Sequence, residues 1–400
     1  MLNRIRTLFS IPSYSIFMTC MMLQGMAISI SSPFLAVYFT TKLGVSAGTF
    51  GIFTAVTLIS GVWFSSRIAK RSDSGLSRKK LMVTALLFNT MAFAGYLFIH
   101  DFYLLLLYMT VFTAVGAPAM PQLFASAREA VNASPSVDHA LANSSLRSMF
   151  SLGFILGPLI GSVILNHWDF PGIFMSTALI LLCNALLVQF FVKSPTRQTQ
   201  TKIKAGPPFK LHQNSKVLIP FLVLTLLYTG HWINNLNISL FIINTLEGNT
   251  RNVASVSSIC ALLEIPFMLA LGGLAAKYSA RALMFWGIAA GGAYYVVVLA
   301  TTGLWQILAG QVLLAFFVAV ISAIGISYIQ DLLPDLPGYA STLYTNSTTI
   351  GRLAGSLVGG AAAQWVGYRH AFWGCLLLAV ISLGLLAIPQ RQSANEIYEL

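Results

Sequence analysis

The sequence predicts an all-α protein that lies almost entirely within a membrane, and three observations support this. Only 8% of the 400 residues are charged and 56% are hydrophobic, whereas soluble proteins carry about 25% charged residues. The apolar residues form long runs instead of the alternating segments of a lipid-facing barrel. Most lysines and arginines fall in every second connection between those runs. Because lipid offers no water to satisfy free backbone groups, each run is predicted to be a helix.

Twelve membrane-spanning helices are predicted, since about 20 apolar residues cross a bilayer as a helix. In chain order they cover residues 13–40, 46–66, 81–99, 103–127, 142–165, 170–192, 218–243, 253–276, 282–301, 303–330, 341–366 and 369–388. Several exceed the minimum length, which tilt or protrusion beyond the lipid accommodates.

The basic residues predict the orientation of these spans. With the N-terminus inside, eighteen lysines and arginines lie in cytoplasmic segments, and three (Lys42, Arg251 and Arg369) lie on the other side. Cytoplasmic loops carry such an excess, so both termini are predicted to be cytoplasmic. The asymmetry also explains the net charge of +12 without a nucleic-acid partner. The four cysteines lie within apolar runs and are expected to be small buried residues, not metal ligands.

The chain is predicted to form two six-helix halves, residues 1–192 and 218–400, joined by a basic, proline-containing linker at 193–217. One segment of the fifth span recurs 198 positions later, in the eleventh. Its glycines are Gly153, Gly157 and Gly161, which correspond to Gly351, Gly355 and Gly359. Transporters are the main class built from two such halves, because the halves rock about a central site.

Two motifs have structural interpretations. Glycines four residues apart let another helix approach closely, and Pro158 beside Gly157 removes a backbone hydrogen bond and permits a bend. A tight helix contact alone is the simpler interpretation of that motif. Between the second and third spans, Asp73 precedes a glycine and a basic cluster, where it can cap a helix or pair with an arginine and latch the inner face. A solvated loop is the alternative there.

Several segments together resemble the bacterial sugar efflux transporter family of the major facilitator superfamily. The glycine-rich motif is similar to the fifth-span motif of that superfamily's exporters, with Ser162 in place of a further glycine, and the Asp73 segment resembles its cytoplasmic loop motif. The narrower resemblance covers residues 69–82, 120–129, 263–266, 330–334 and 340–346. It implies the major facilitator fold, with two pseudo-symmetric halves, and an inner-membrane exporter of sugars and glycosides that exchanges them for protons.

Glu264 is the first candidate for proton coupling, because it is the only acidic residue deep in a predicted span. Carboxylates in lipid are costly unless they pair or protonate. Counted along the helices, Glu264 and Arg352 lie about 18 and 16 Å inside their spans, and Arg147 lies about 8 Å inside. Depth therefore predicts a midplane pair of Glu264 with Arg352, with Arg147 nearer the inner mouth. A permanent structural ion pair is the alternative.

A sugar site needs amides that match hydroxyl groups and an aromatic ring that stacks on the sugar. The seventh span is unusually polar, and other spans contribute further candidates. The substrate-binding candidates are Gln24, Gln122, Asn143, Tyr228, His231, Trp232, Asn234, Asn235, Asn237, Tyr344 and Asn346. Interfacial aromatic belts and interhelical amide contacts are the alternative for any one of them. His231 is also protonatable, although packing beside Trp232 is its commoner role.

The competing functional classes require features that differ from these. A membrane enzyme would gather acids, bases or metal ligands, and the short loops contain no such motif. We therefore expect no enzyme activity, metal or cofactor, with a proton gradient as the energy source. A drug or lipophile proton antiporter of the same superfamily is the main alternative, and its pocket would be more aromatic and poorer in amides. A passive facilitator is a third possible function. A monomer is expected, with a small sugar or glycoside, protons and lipid as its partners.

Overall fold

The protein is all-helical in the computed structural model, which describes residues 11, 13–72, 77–132, 139–192, 211, 214–275, 277–333 and 337–388. Within these ranges there is no β-strand. The predicted all-α fold is therefore confirmed. Asp73 and nearly all of the predicted linker lie outside the described residues, and so do the side chains of Asn143 and Arg147.

The first half of the chain contains six described helices, three of which depart from the predicted spans. They are α1 (Tyr14–Thr41), α2 (Ala47–Ser72), α3 (Arg78–Gly95), α4 (Phe102–Gly116), α5 (Ala119–Asn132) and α6 (His139–Phe191). The predicted fourth span is divided between α4 and α5, next to Pro118, which has no backbone N–H to continue the helical ladder. Helix α6 covers the predicted fifth and sixth spans, with a kink at Asp169, where φ is 51°.

The second half contains seven described helices and one π-helical turn. The helices are α7 (Ser215–Asn244), α8 (Thr250–Leu274), α9 (Ala280–Ala300), α10 (Leu304–Ala319), α11 (Gly325–Leu332), α12 (Pro337–Trp365) and α13 (Ala371–Ala387). The π turn, Val320–Ile324, joins α10 to α11 within a single predicted span. Short π segments inside α-helices frequently occur at functional sites.

The apolar character of these helices agrees with a membrane location. Within the described part of the chain, eight helical segments are long and apolar enough to cross a membrane, and the longest, Ser148–Phe191, covers two predicted spans. Helix α13 is a shorter apolar helix. Helices α3 and α12 are outside this group, because α3 begins with three basic residues and the first half of α12 is polar.

The chain divides into two compact units that do not follow the predicted halves at every residue. Unit 1 contains residues Met1–Thr201 and Ile238–Ala261, and unit 2 contains Lys202–Asn237 and Leu262–Leu400. The end of α7, the start of α8 and the turn between them thus belong to unit 1. There Ser239 Oγ donates to the carbonyl of Pro33 at 3.0 Å, and Arg251 Nε donates to Asn166 Oδ1 at 3.1 Å.

Helix α1 runs through the core of unit 1. Its side chains Tyr14, Phe17 and Met21 are fully or almost fully buried, and they pack with residues of α3, α5 and α6. Further along α1, Tyr38 meets the ring of Phe174 edge-on at 4.8 Å. Tyr96 stacks on the same ring at 4.5 Å. Aromatic pairs of this kind contribute about 0.5–1.5 kcal/mol each beyond their buried area, so they hold α1 against α3 and α6.

Unit 2 has its own core, in which α9 packs closely on α10 and the π turn. A Cβ at Gly291 would lie 2.8 Å from Phe317, and one at Gly287 would lie 2.5 Å from Val320. The expectation that all four cysteines are buried is wrong for Cys183, which is exposed, while Cys20 and Cys375 are buried. A membrane helix carries apolar residues on its outer face as well, so an apolar run does not by itself indicate burial.

Candidate functional site

In unit 1, helix α6 approaches α1 through a ladder of glycines. A Cβ at Gly153 would overlap the carbonyl oxygen of Met22, and a Cβ at Gly157 would overlap Ser29 Oγ. A Cβ at Gly161 would lie 2.7 Å from the carbonyl oxygen of Ile30. Because these positions leave no space for a side chain, the glycines allow the two backbones to touch. Pro158 lies within the same helix.

In unit 2, helix α12 approaches α7 through the repeated glycines. A Cβ at Gly351 would lie 2.5 Å from Tyr228 Cβ, and one at Gly355 would lie 2.6 Å from both the Thr229 carbonyl oxygen and Trp232 Cβ. A Cβ at Gly359 would lie 3.1 Å from Ile233 Cα. The sequence repeat therefore corresponds to a repeated helix contact.

The two contacts have the same register. The backbone nitrogens of Met26 and Thr229 are close neighbours of the first glycine of each ladder, and those of Ile30 and Ile233 are close neighbours of the second. Residues at equivalent positions can therefore be compared. Ser29 in unit 1 corresponds to Trp232 in unit 2. By the same register Gly25 corresponds to Tyr228, and Phe154 corresponds to Arg352.

Tyr228 and Tyr344 form a hydroxyl pair that joins α7, α12 and the π turn. Their hydroxyl oxygens are 2.6 Å apart. The hydroxyl of Tyr228 lies 3.3 Å from the carbonyl oxygen of Ile321, and that of Tyr344 lies 3.3 Å from the carbonyl oxygen of Ser322. Because each hydroxyl has one proton, one tyrosine donates to the other, and the second donates to its neighbouring carbonyl. Both carbonyls belong to the π turn, where the altered hydrogen-bond ladder leaves carbonyl oxygens available to outside donors. Both tyrosines are substrate-binding candidates from the sequence, but neither their pairing nor the π turn has a sequence signal that we recognise.

Arg352 contacts Trp232. The central guanidinium carbon lies 4.5 Å from the centroid of the indole ring, a cation–π arrangement. Within the described residues no hydrogen bond or ion pair of Arg352 is found, so the predicted midplane ion pair with Glu264 is not the arrangement present. The two residues lie at similar depth, but depth does not fix the direction in which each helix turns its side chain.

Glu264 is half-buried on α8, two residues before Pro266. It is close enough to Tyr228 for an electrostatic interaction between the two groups. The structure thus places a carboxylate near the tyrosine pair. A proline two residues further on leaves one backbone carbonyl in the preceding turn without its helical partner, which adds a polar group to this part of α8.

The amides of α7 have different environments. Asn237 Nδ2 donates to the carbonyls of Ile233 at 2.9 Å and Gly359 at 3.1 Å, so this side chain bridges α7 and α12. Asn234 is buried, whereas Asn235 and, on α12, Asn346 are exposed. His231 is half-buried beside Trp232. His231 Nδ1 and Asn234 Oδ1 have no hydrogen-bond partner among the described residues.

The unit 1 candidates make structural contacts. Asn184 Nδ2 donates to Gln24 Oε1 at 3.4 Å and to the Cys20 carbonyl at 3.1 Å. Arg78 donates to Gln122 Oε1 at 3.3 Å. Asn184 is not among the candidates predicted from the sequence, and its position in an apolar run of α6 is the available signal. Of the candidates named from the sequence, those on α7 and α12 are the ones brought together.

Comparison with known proteins gives the same fold and a family. The profile of the Major Facilitator Superfamily matches residues 17–242 and 220–397. The Salmonella typhimurium protein named sugar efflux transporter B is 30% identical over 93% of this chain and 94% of its own length. A Lactococcus lactis protein named as a homologue of the multi-drug resistance efflux pump PmrA is less similar, at 24% identity over 90% of each chain.

Among solved structures, a mutant of the nucleoside transporter NupG superposes with a TM-score of 0.80 at 13% identity. The match covers 93% of this chain and 98% of the other, and it shows the fold. These proteins are membrane transporters and not enzymes. Together with the two glycine ladders and the apolar helices described above, the matches show that this chain is a multi-pass membrane transporter that belongs to the sugar efflux transporter family of the Major Facilitator Superfamily.

Proposed function

We propose that this protein exports sugars or glycosides from the cytoplasm by alternating access and exchanges them for protons. The observation that carries the proposal is the relationship to sugar efflux transporter B over nearly the full length of both chains. The distribution of basic residues supports a bacterial inner-membrane location with both termini in the cytoplasm.

The substrate site of the proposal lies on the polar side of α7 and α12 in unit 2. Trp232 supplies a flat aromatic surface, and the exposed amides of Asn235 and Asn346 can match sugar hydroxyl groups. Tyr228 and Tyr344 hold each other in place next to the π turn. Gln24, Gln122 and Asn143 in the first half of the chain stay predictions from the sequence.

For proton coupling we propose Glu264 as the group that gains and loses the proton. A carboxylate inside a membrane protein can change protonation when its surroundings change between states. A monomer without a bound cofactor is sufficient for this cycle, because the proton gradient supplies the energy.

The test uses inverted membrane vesicles that contain the full chain, so that export appears as uptake. Labelled mono- and disaccharides and methyl glycosides are supplied with the vesicle interior acidified, and again with no pH gradient. We expect accumulation of at least one sugar with the gradient and only equilibration without it. If no sugar moves faster than in vesicles without the protein, the proposal is wrong.

A drug or lipophile exporter is the second candidate, and the weaker identity to the PmrA homologue argues against it. The polar groups of α7 and α12 also fit hydroxyl-rich substrates better than lipophilic cations. The same vesicles, supplied with cationic dyes, distinguish the two candidates. Dye accumulation without sugar accumulation would favour the drug exporter.

A further inference from the structure

We propose that Arg352 and Trp232 form an anion subsite in unit 2, and that the substrates include glycosides bearing a carboxylate, such as hexuronides. This inference rests on the proposed sugar transport and names a substrate class for it. It concerns binding alone.

Arg352 is an exposed cation in the middle of a long helix. It is close to the centre of α12, twelve residues or more from either end, and its side chain is exposed. A charged side chain at the bilayer centre costs about 2.5–3.5 kcal/mol or more when it faces hydrocarbon, and such residues face the protein interior or water instead. The exposed side of Arg352 is therefore a water-accessible part of unit 2.

The Arg352 guanidinium is held beside Trp232, but its N–H donors have no hydrogen-bond partner among the described residues. Its central carbon lies over the ring of Trp232, 4.5 Å from the ring centroid. Trp232 itself is fixed, because its Cβ is close to the backbone of α12 at Gly355. A cation–π contact does not use the N–H donors of a guanidinium in hydrogen bonds, and the described residues supply no hydrogen bond or carboxylate to Arg352.

An external carboxylate is the ligand that fits this group. A guanidinium presents a planar fork of donors that matches the two oxygens of a carboxylate. One guanidinium neutralises one negative charge, which favours a carboxylate over a doubly charged phosphate. The equivalent positions of unit 1 are Ser29 and Phe154, which carry no charge. The repeated helix contact itself therefore does not require a cation, and Arg352 is available for a ligand.

The test compares three labelled compounds in vesicles that contain the full chain: methyl glucuronide, its neutral isostere methyl glucuronamide, and methyl glucoside. In the wild type we expect faster uptake of the glucuronide than of the glucuronamide. R352Q should lower glucuronide uptake by about tenfold or more, the usual effect of losing hydrogen bonds to a charged group. Uptake of the glucuronamide by R352Q should stay within about threefold of the wild type, since a neutral amide loses less.

Two further variants serve as comparisons. R352K keeps the charge but loses the planar fork, so its effect should be intermediate. K277Q removes one positive charge from the exposed turn after α8 in the same unit and should leave the ratio of glucuronide to glucuronamide uptake unchanged. Equal loss of both compounds in R352Q would overturn the inference, because it would indicate a structural role.

A measurement on the wild type covers the case in which R352Q does not reach the membrane. Unlabelled glucuronide and glucuronamide are compared as inhibitors of methyl glucoside uptake. The inference requires the glucuronide to inhibit at a concentration about tenfold lower, as expected for a charge-assisted pair. Equal inhibition would refute it while leaving sugar export intact. Failure of the proposed function looks different, since none of the three compounds would then move.

Discussion

The contact of α1 with α6 and the contact of α7 with α12 share one backbone arrangement but differ in chemistry. In both, three glycines four residues apart bring two helices together. In unit 1 the hydroxyl of Ser29 donates to the Gly25 carbonyl of its own helix at 2.9 Å. In unit 2 the corresponding side chains are Trp232 and Tyr228, which contact Arg352 and Tyr344. The same scaffold is a packing contact in one unit and a polar surface in the other.

The difference indicates which positions a duplicated helix pair must keep. A glycine that touches a neighbouring backbone admits no side chain, so both ladders retain it. The residues of the partner helix that face each ladder differ: Gly25 and Ser29 face it in unit 1, and Tyr228 and Trp232 face it in unit 2. Chemistry therefore enters next to the glycines, at the positions occupied by Gly25, Ser29 and Phe154 in one unit and by Tyr228, Trp232 and Arg352 in the other.

Two pairs of turn positions also keep the same backbone conformation while the residue type differs. Gly44 and Glu247 each lie three residues after the end of α1 and α7, and both have positive φ, 66° and 54°. Asp169 and Gly367 each lie sixteen residues after the first ladder glycine, with φ of 51° and 85°. The left-handed backbone is kept in each pair, while only one member of each pair is a glycine.

The largest expected effect comes from Glu264→Gln, which tests whether unit 2 holds the coupling group. Glutamine cannot take up or release a proton, so pH-driven sugar accumulation should be lost while exchange of sugar for sugar continues. Both are measured in the same vesicles. Glu247→Gln, at an exposed turn, is the control and should behave as the wild type. Unchanged gradient-driven export by a well-folded Glu264→Gln protein would disprove the role.

The second prediction tests whether the two glycine ladders are equally important. Gly153→Ala and Gly351→Ala should each lower the free energy of unfolding by about 1–3 kcal/mol, the usual cost of overpacking. The thermal midpoint in detergent measures it. Gly374→Ala is a matched control, because no atom lies within 4 Å of a Cβ at that position. A large loss in only one of the two variants would show that the scaffold is not shared.

The third prediction concerns the hydroxyl pair. Tyr228→Phe removes the hydroxyl that hydrogen-bonds to Tyr344 beside the Ile321 carbonyl and should cost about 0.5–1.5 kcal/mol of stability. It should also raise the KM for sugar, since Tyr344 and the π turn lose a fixed partner. Tyr38→Phe in unit 1 is the comparison, because Tyr38 is buried among aromatic rings. An equal rise in KM in both variants would count against a specific role for Tyr228.

The smallest effect is expected at the turns. Glu247→Gly places a glycine at a positive φ, as at Gly44, and should raise stability by about 0.5–1 kcal/mol because an L side chain is disfavoured there. At Asp169 the same change also removes the ion pair with Lys42, 2.8 Å long and half-exposed, so the net gain should be smaller. The thermal midpoints of the two variants measure these gains. A larger increase for Asp169→Gly than for Glu247→Gly would contradict this explanation.

Much of the fold was predictable because it depends on the length of the apolar runs and on a repeated glycine motif. Long apolar runs predict helices wherever lipid prevents other backbone structures, and the recurrence of Gly153, Gly157 and Gly161 at an offset of 198 predicts the repeated contact. The details of helix breaks were less predictable. The break near Asp169 falls between the predicted fifth and sixth spans, but the π turn at Val320–Ile324 lies inside apolar sequence, where hydrophobicity does not distinguish a regular helix from one with a π turn.

The sequence by itself determined which residues are polar inside the apolar runs and how deep each one lies, since both follow from residue identity and the rise of a helix. Only the tertiary structure decided which of them meet. Glu264 and Arg352 have similar depths, yet Arg352 lies over Trp232, because the rotation of α12 about its own axis is set by its glycine contact with α7. The same rotation brings Tyr344 to Tyr228. Rotation depends on close packing between helices distant in sequence, and no local pattern encodes it.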